Sequence, residues 1–146
     1  MLPPSWLHKK FMAGSSLLEV LIALILLSMG LLGMMALQTT SLKSNQTSMS
    51  RSLATELAHE ISDLMRANRT LAEAGSYDIA LDATAPTGTS VDAVDLQNWK
   101  ARLAQLPAGQ GSIAQDGNQF VITVQWDESR LKNGNSAQQF TYRTEL

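Results

Sequence analysis

The feature that most limits what this chain can fold into is residues 14–38, an almost unbroken apolar run that opens Gly14-Ser15-Ser16-Leu17-Leu18-Glu19-Val20. About 20 apolar residues in a helix cover a bilayer hydrocarbon core of roughly 30 Å. The run therefore predicts a membrane segment. Its single acid, Glu19, needs a reason, because a carboxylate inside a membrane helix is expensive even near the end of the span. One reason is local. Ser16-x-x-Glu19 has the form of a capping box, in which Ser16 accepts from the Glu19 amide and the Glu19 carboxylate accepts from the Ser16 amide. An acid in a first turn also suits the helix dipole. The other reason is a dedicated function, and the motif alone leaves both open.

The preceding residues carry His8, Lys9 and Lys10 and no acid. Basic residues before a first membrane segment hold the N-terminus in the cytoplasm, which puts the bulk of the chain outside. A secretory signal would place a small-residue cleavage site after the apolar run. Here Gln38-Thr39-Thr40-Ser41-Leu42-Lys43 follows it, a poor match, and the small residue, Gly14, precedes the run.

A short basic leader ending in Gly14, then an apolar helix with Glu19 five residues on, resembles the class III signal of type IV prepilins and type II secretion pseudopilins. The resemblance implies cleavage between Gly14 and Ser15 by a prepilin peptidase and N-methylation of Ser15, so that the mature chain starts at Ser15. Most members carry Phe or Met at that position, and this chain departs from them with Ser15. Further matches are similar to the minor pilins of the type IV pilus modification (PilV) family. They are Glu19-Val20-Leu21-Ile22-Ala23, Gly30-Leu31-Leu32-Gly33, Ala36-Leu37-Gln38 and Asp63-Leu64-Met65-Arg66-Ala67-Asn68-Arg69. The Trp99 helix leading to Leu106-Pro107-Ala108-Gly109-Gln110-Gly111, and Val121-Ile122-Thr123-Val124-Gln125-Trp126, extend the similarity over most of the chain. It implies a pilin-like α+β fold, in which a long N-terminal helix packs on a small antiparallel sheet. It also implies a place at the pilus tip, in priming assembly and supporting adhesion or twitching motility. The implied partners are the prepilin peptidase, the major pilin, other minor pilins, a large tip adhesin and the inner-membrane assembly platform.

With 146 residues, the chain has room for one modest domain beyond the membrane run. A net charge of −2 offers no electrostatic case for nucleic acid. Without cysteine there is no disulfide, thiolate metal site or cysteine nucleophile, and the two histidines, His8 and His59, are far apart. Stability then has to come from packing and neighbouring subunits. No nucleophile elbow, phosphate loop, zinc helix or calcium loop appears, so neither enzyme activity nor a cofactor or metal is expected. His59, Glu60 and Asp63 share about one helical turn, and a solvated charged face is the expected reading.

Neither Pro nor Gly occurs between residues 34 and 74, and Leu42, Met49, Leu53, Leu57, Ile61, Leu64 and Met65 recur every three or four residues. This predicts one helix over residues 16–69, membrane-embedded over residues 15–38 and then striped, with its apolar stripe against a folded domain over residues 39–146. Gly30 and Gly33 each weaken that helix by about 1 kcal/mol relative to Ala. They mark either close helix contacts or weak points where the helix opens in a fibre. Residues 70–91 predict a loop with a short strand at 77–81, a surface for subunit contact in pilins. Leu96, Trp99, Leu103 and Leu106 predict a short helix within residues 92–106, starting from about Asp92 or Asp95, with Asp95 offering an N-cap and Trp99 as a core anchor. Phe120, Ile122, Val124 and Trp126 alternate, with Asp116-Gly117 as one hairpin signal and Asn133-Gly134 as the next. Three or four antiparallel strands follow over residues 112–144.

Two further readings stand beside this one, the first in a related system and the second in another class. A minor pseudopilin of type II secretion shares the leader, and an uncleaved signal-anchored periplasmic binding domain would keep it.

Overall fold

The computed structural model describes residues 12–130 and 134–146. Helix α1 runs Met12–Ala67, followed by a single turn of helix, α2 (Arg69–Glu73), a loop, α3 (Val91–Leu103), and strands β1 (Gln110–Asp116), β2 (Gln119–Trp126) and β3 (Gln138–Thr144). Two compact units divide the chain, Met1–Ser44 and Asn45–Leu146.

In the second unit, residues 45–67 of α1 form one wall of the core. Ala54, Leu57, Ala58, Ile61 and Met65 are fully buried, as the helical period requires, and Leu53 and Leu64 pack at the rim. Leu42 and Met49 continue the same sequence stripe but are 67% and 73% exposed, so the core-facing stripe starts later than their spacing predicts. On α3, Ala93, Leu96, Trp99 and Leu103 form the matching apolar face. Trp99 is the anchor: its indole N–H donates to the Leu57 carbonyl at 2.9 Å. At the surface, Arg102 ties the same two helices by donating to Glu56 at 2.8 Å and to Glu60.

The sheet is an antiparallel meander in the order β1-β2-β3. Phe120, Ile122, Val124 and Trp126 of β2 face the core, and Phe140 and Tyr142 of β3 pack against its edge. Asp116 pairs with Gln119, so the turn pivots on Gly117-Asn118, one residue beyond Asp116-Gly117. Gly117 has φ of +63°, a value glycine adopts without steric cost. Residues 127–137 connect β2 to β3, and Asn133 of the expected second hairpin lies outside the described residues.

Three local expectations are corrected. The loop predicted from residue 70 begins later, because Arg69–Glu73 is helical and Ala72 is fully buried. The strand at 77–81 reduces to a single bridge, in which Ile79 and Ile113 exchange hydrogen bonds of 2.9 Å. Helix α3 starts at Val91 with Ser90 as N-cap, and ends at Leu103, short of Pro107. Asp95 is inside the helix, where it accepts from the Tyr77 hydroxyl at 2.6 Å.

The remaining loop is pinned by side chains. Gln97 donates to the carbonyls of Pro86 and Gly88, at 2.9 and 3.0 Å. Lys100 donates to the Ala80, Leu81 and Gly111 carbonyls, the last at 2.7 Å. Burial lowers the Lys100 pKa, opposed by the charge of Asp82. The fold is thus α+β, a long N-terminal helix packed on a small antiparallel sheet, an arrangement consistent with a pilin-like fold.

Candidate membrane and processing segment

From Ser16 to Ser44 every side chain of α1 is exposed. The large apolar residues from Leu17 to Leu42 stand between 49% and 74% exposed, so no part of this chain buries them. No ionisable residue occurs between Glu19 and Lys43, a distance of about 35 Å along a helix at 1.5 Å per residue. The helix is long and apolar enough to cross a membrane.

Its hydroxyls are masked within the helix. Ser28 donates to the Leu24 carbonyl at 2.7 Å, Thr39 to Met35 at 2.8 Å and Thr40 to Ala36 at 2.9 Å. Each proton is shared with a carbonyl four residues back, so these residues add no unpaired donor to an apolar medium.

Gly14 and Ser15 lie within α1, close to the start of its described length. Ser16 lies inside the helix rather than at its N-cap, because α1 is already helical from Met12. The capping box is therefore not formed: Glu19 is exposed and, among the described residues, has no hydrogen-bond or ion-pair partner. The local reason for this acid falls away in the uncut chain.

Helix α1 passes through Gly30 and Gly33 without a break. A Cβ added at either would meet nothing within 4 Å, so packing inside this chain does not explain them. Gly109 and Gly111 differ. A Cβ on Gly109 would fall 2.0 Å from the Leu103 carbonyl oxygen, and one on Gly111 would fall 2.6 Å from both Leu103 Cδ1 and Trp99 Cη2. With Ala108 at φ +47° and the Pro107 carbonyl accepting from Asp127 N–H at 2.8 Å, the stretch 106–111 is a tight corner seating β1 on α3.

In the second unit, His59, Glu60 and Asp63, which share about one helical turn, have separate partners. His59 packs at a tilt of 55° against Tyr142 with ring centroids 4.4 Å apart, Glu60 accepts from Arg102, and Asp63 accepts from Arg66 at 2.9 Å. Sequence patterns missed two features here. Glu128 is 7% exposed and accepts from the Trp126 indole at 2.9 Å, and Arg66 donates to Thr144 Oγ1 at 2.6 Å. The first links residues two apart at the end of β2 and the second joins the end of α1 to the end of β3, and neither is encoded in a local hydrophobic period.

No protein-family model, curated protein sequence or solved structure matches this chain.

Proposed function

We propose that this chain is a minor pilin of the type IV pilus modification (PilV) family. It is inserted in the inner membrane with its N-terminus cytoplasmic and its sheet domain periplasmic. A prepilin peptidase cuts between Gly14 and Ser15, and Ser15 is N-methylated. The inner-membrane assembly platform then takes it up with other minor pilins and the major pilin, near a large tip adhesin. There it primes the fibre and supports adhesion or twitching motility, without catalysis or a cofactor.

The observation that supports this most is Glu19, an ionisable group with no partner among the described residues, at the start of the exposed apolar part of α1. Cleavage creates a charged α-amine at Ser15. In the apolar interior of a fibre an unpaired amine is expensive, and the Glu19 carboxylate of a neighbouring subunit neutralises it. That pairing also sets the axial register between subunits. Gly30 and Gly33 leave room on the same helix for a neighbour or for local opening.

The test is Glu19→Gln, which keeps shape and hydrogen-bonding capacity but cannot neutralise an amine. The variant is expected to insert and be cut normally, yet to be depleted from sheared pili and from complexes with the other minor pilins. Wild-type levels in both preparations would overturn the pairing.

A further inference from the structure

The two edges of the sheet differ. On β1, Ile79 bridges to Ile113 at the middle of the strand. Strand β3 pairs with β2 alone, and no backbone group of Gln138–Thr144 has a backbone partner outside the sheet among the described residues. Seven residues give an edge of about 20 Å along which alternate N–H and C=O groups point outward. Edges of this length are normally blunted by proline, lysine, a bulge or a cover. The sequence Gln-Gln-Phe-Thr-Tyr-Arg-Thr contains neither Pro nor Lys, and its register on β2 runs from Gln138 to Thr144 without a bulge.

The helix beside this edge decides what fits it. Residues 51–66 of α1 run alongside β3 in the same direction. Arg51 and Thr55 share a groove of about 170 Å³ with Trp126, Gln138, Gln139 and Phe140. Further along, His59 packs at a tilt against Tyr142, and Arg66 reaches Thr144. The helix face flanking the open edge therefore presents Arg51 as its uncompensated charge, with His59 against Tyr142 and Arg66 paired to Asp63. Its acid, Asp63, is already paired with Arg66, Glu128 is buried against the Trp126 indole, and Glu145 follows the end of β3. Arg51 has no ion-pair partner among the described residues.

We propose that β3 is a docking edge for an extended acidic segment of a partner protein, added as a fourth strand with carboxylates on the alternate positions facing Arg51 and α1. Main-chain hydrogen bonds hold such a strand and flanking side chains select it. A second copy of this chain fits poorly. Antiparallel pairing of two β3 strands about Thr141 would set Arg51 of each copy beside the Arg66–Asp63 ion pair of the other, which offers Arg51 no uncompensated acid. Parallel pairing gives the weaker ladder. The inference does not depend on the pilus reading, since it uses only the unit Asn45–Leu146.

The test uses the full chain in detergent micelles and three labelled peptides of about eight residues, the length of the edge. One alternates Val and Glu, one alternates Val and Lys, and one is the Val/Glu peptide N-methylated on its backbone amides. The Val/Glu peptide is expected to bind about tenfold or more tightly than the Val/Lys peptide and to slow amide exchange at alternate positions of Gln138–Thr144. The N-methylated peptide should not bind. Arg51→Gln should erase the charge preference and Arg51→Glu should invert it, and exposed Arg51 makes both variants compatible with the fold. Equal binding of the N-methylated peptide, protection elsewhere but not on β3, or no binding of the Val/Glu peptide would overturn the proposal. Self-association that protects β3 without peptide would also overturn it, in favour of a second copy.

Discussion

The Trp99 indole N–H donates to the carbonyl of Leu57, 42 residues earlier, at 2.9 Å, with both side chains at most 1% exposed. This contact fixes α3 on residues 45–67 of α1 through the least wettable point of the core. Trp99→Ala should destabilise the chain by about 3–5 kcal/mol through loss of a large buried side chain. Trp99→Phe should lower stability by roughly 1–2 kcal/mol, through the lost hydrogen bond and a smaller ring. Urea unfolding of the chain in detergent, followed by far-UV circular dichroism, measures both, and an undisturbed midpoint in Trp99→Ala would remove Trp99 as the anchor.

The corner at residues 106–111 should be intolerant of a single methyl group. Gly111→Ala places its Cβ against Trp99 and Leu103 and is expected to cost about 1–3 kcal/mol by overpacking. Gly109→Ala should cost more, since the obstacle is backbone. Gly30→Ala and Gly33→Ala meet no atom of the chain and should leave its stability unchanged or slightly raised. The same unfolding measurement ranks all four.

The two tyrosines should titrate in opposite directions. Burial, then the hydrogen bond to Asp95, pushes the Tyr77 phenol well above its ordinary value of 10.0. Hydrogen bonding to Arg66, then to Thr144, holds Tyr142 below its ordinary value. Because Tyr77 binds its proton more tightly when folded, its contribution is fully present below pH 10.0 and is lost as pH rises above that. Stability should then fall by about 1.4 kcal/mol per pH unit from this group. Phenolate absorbance should show an early step absent in Tyr142→Phe, and a later step coinciding with unfolding and absent in Tyr77→Phe.

The sequence alone disclosed elements whose burial follows a local period. Phe120, Ile122, Val124 and Trp126 alternate because β2 is half-buried, and Leu57, Ile61 and Met65 recur because one face of α1 meets the sheet. Where a distant partner decides, the sequence was silent. Asp95 looked like a helix cap but serves Tyr77, 18 residues earlier, and Leu42 and Met49 keep the helical period beyond the reach of the core. Glu19 stood out because it is the lone acid of an apolar run, so that part of the candidate segment was legible. The open edge of β3 was not, since it depends on strand order and on the direction of α1 beside it.

The central claim is that α1 is an assembly helix released by processing at its own start, and the N-terminus of the membrane-extracted protein tests it most directly. Intact mass and N-terminal peptide mass spectrometry should find a chain beginning at Ser15 and carrying one N-methyl group, while Gly14→Leu should retain the leader. A wild-type chain that keeps residues 1–14, or a Gly14→Leu chain that loses them normally, would contradict the account.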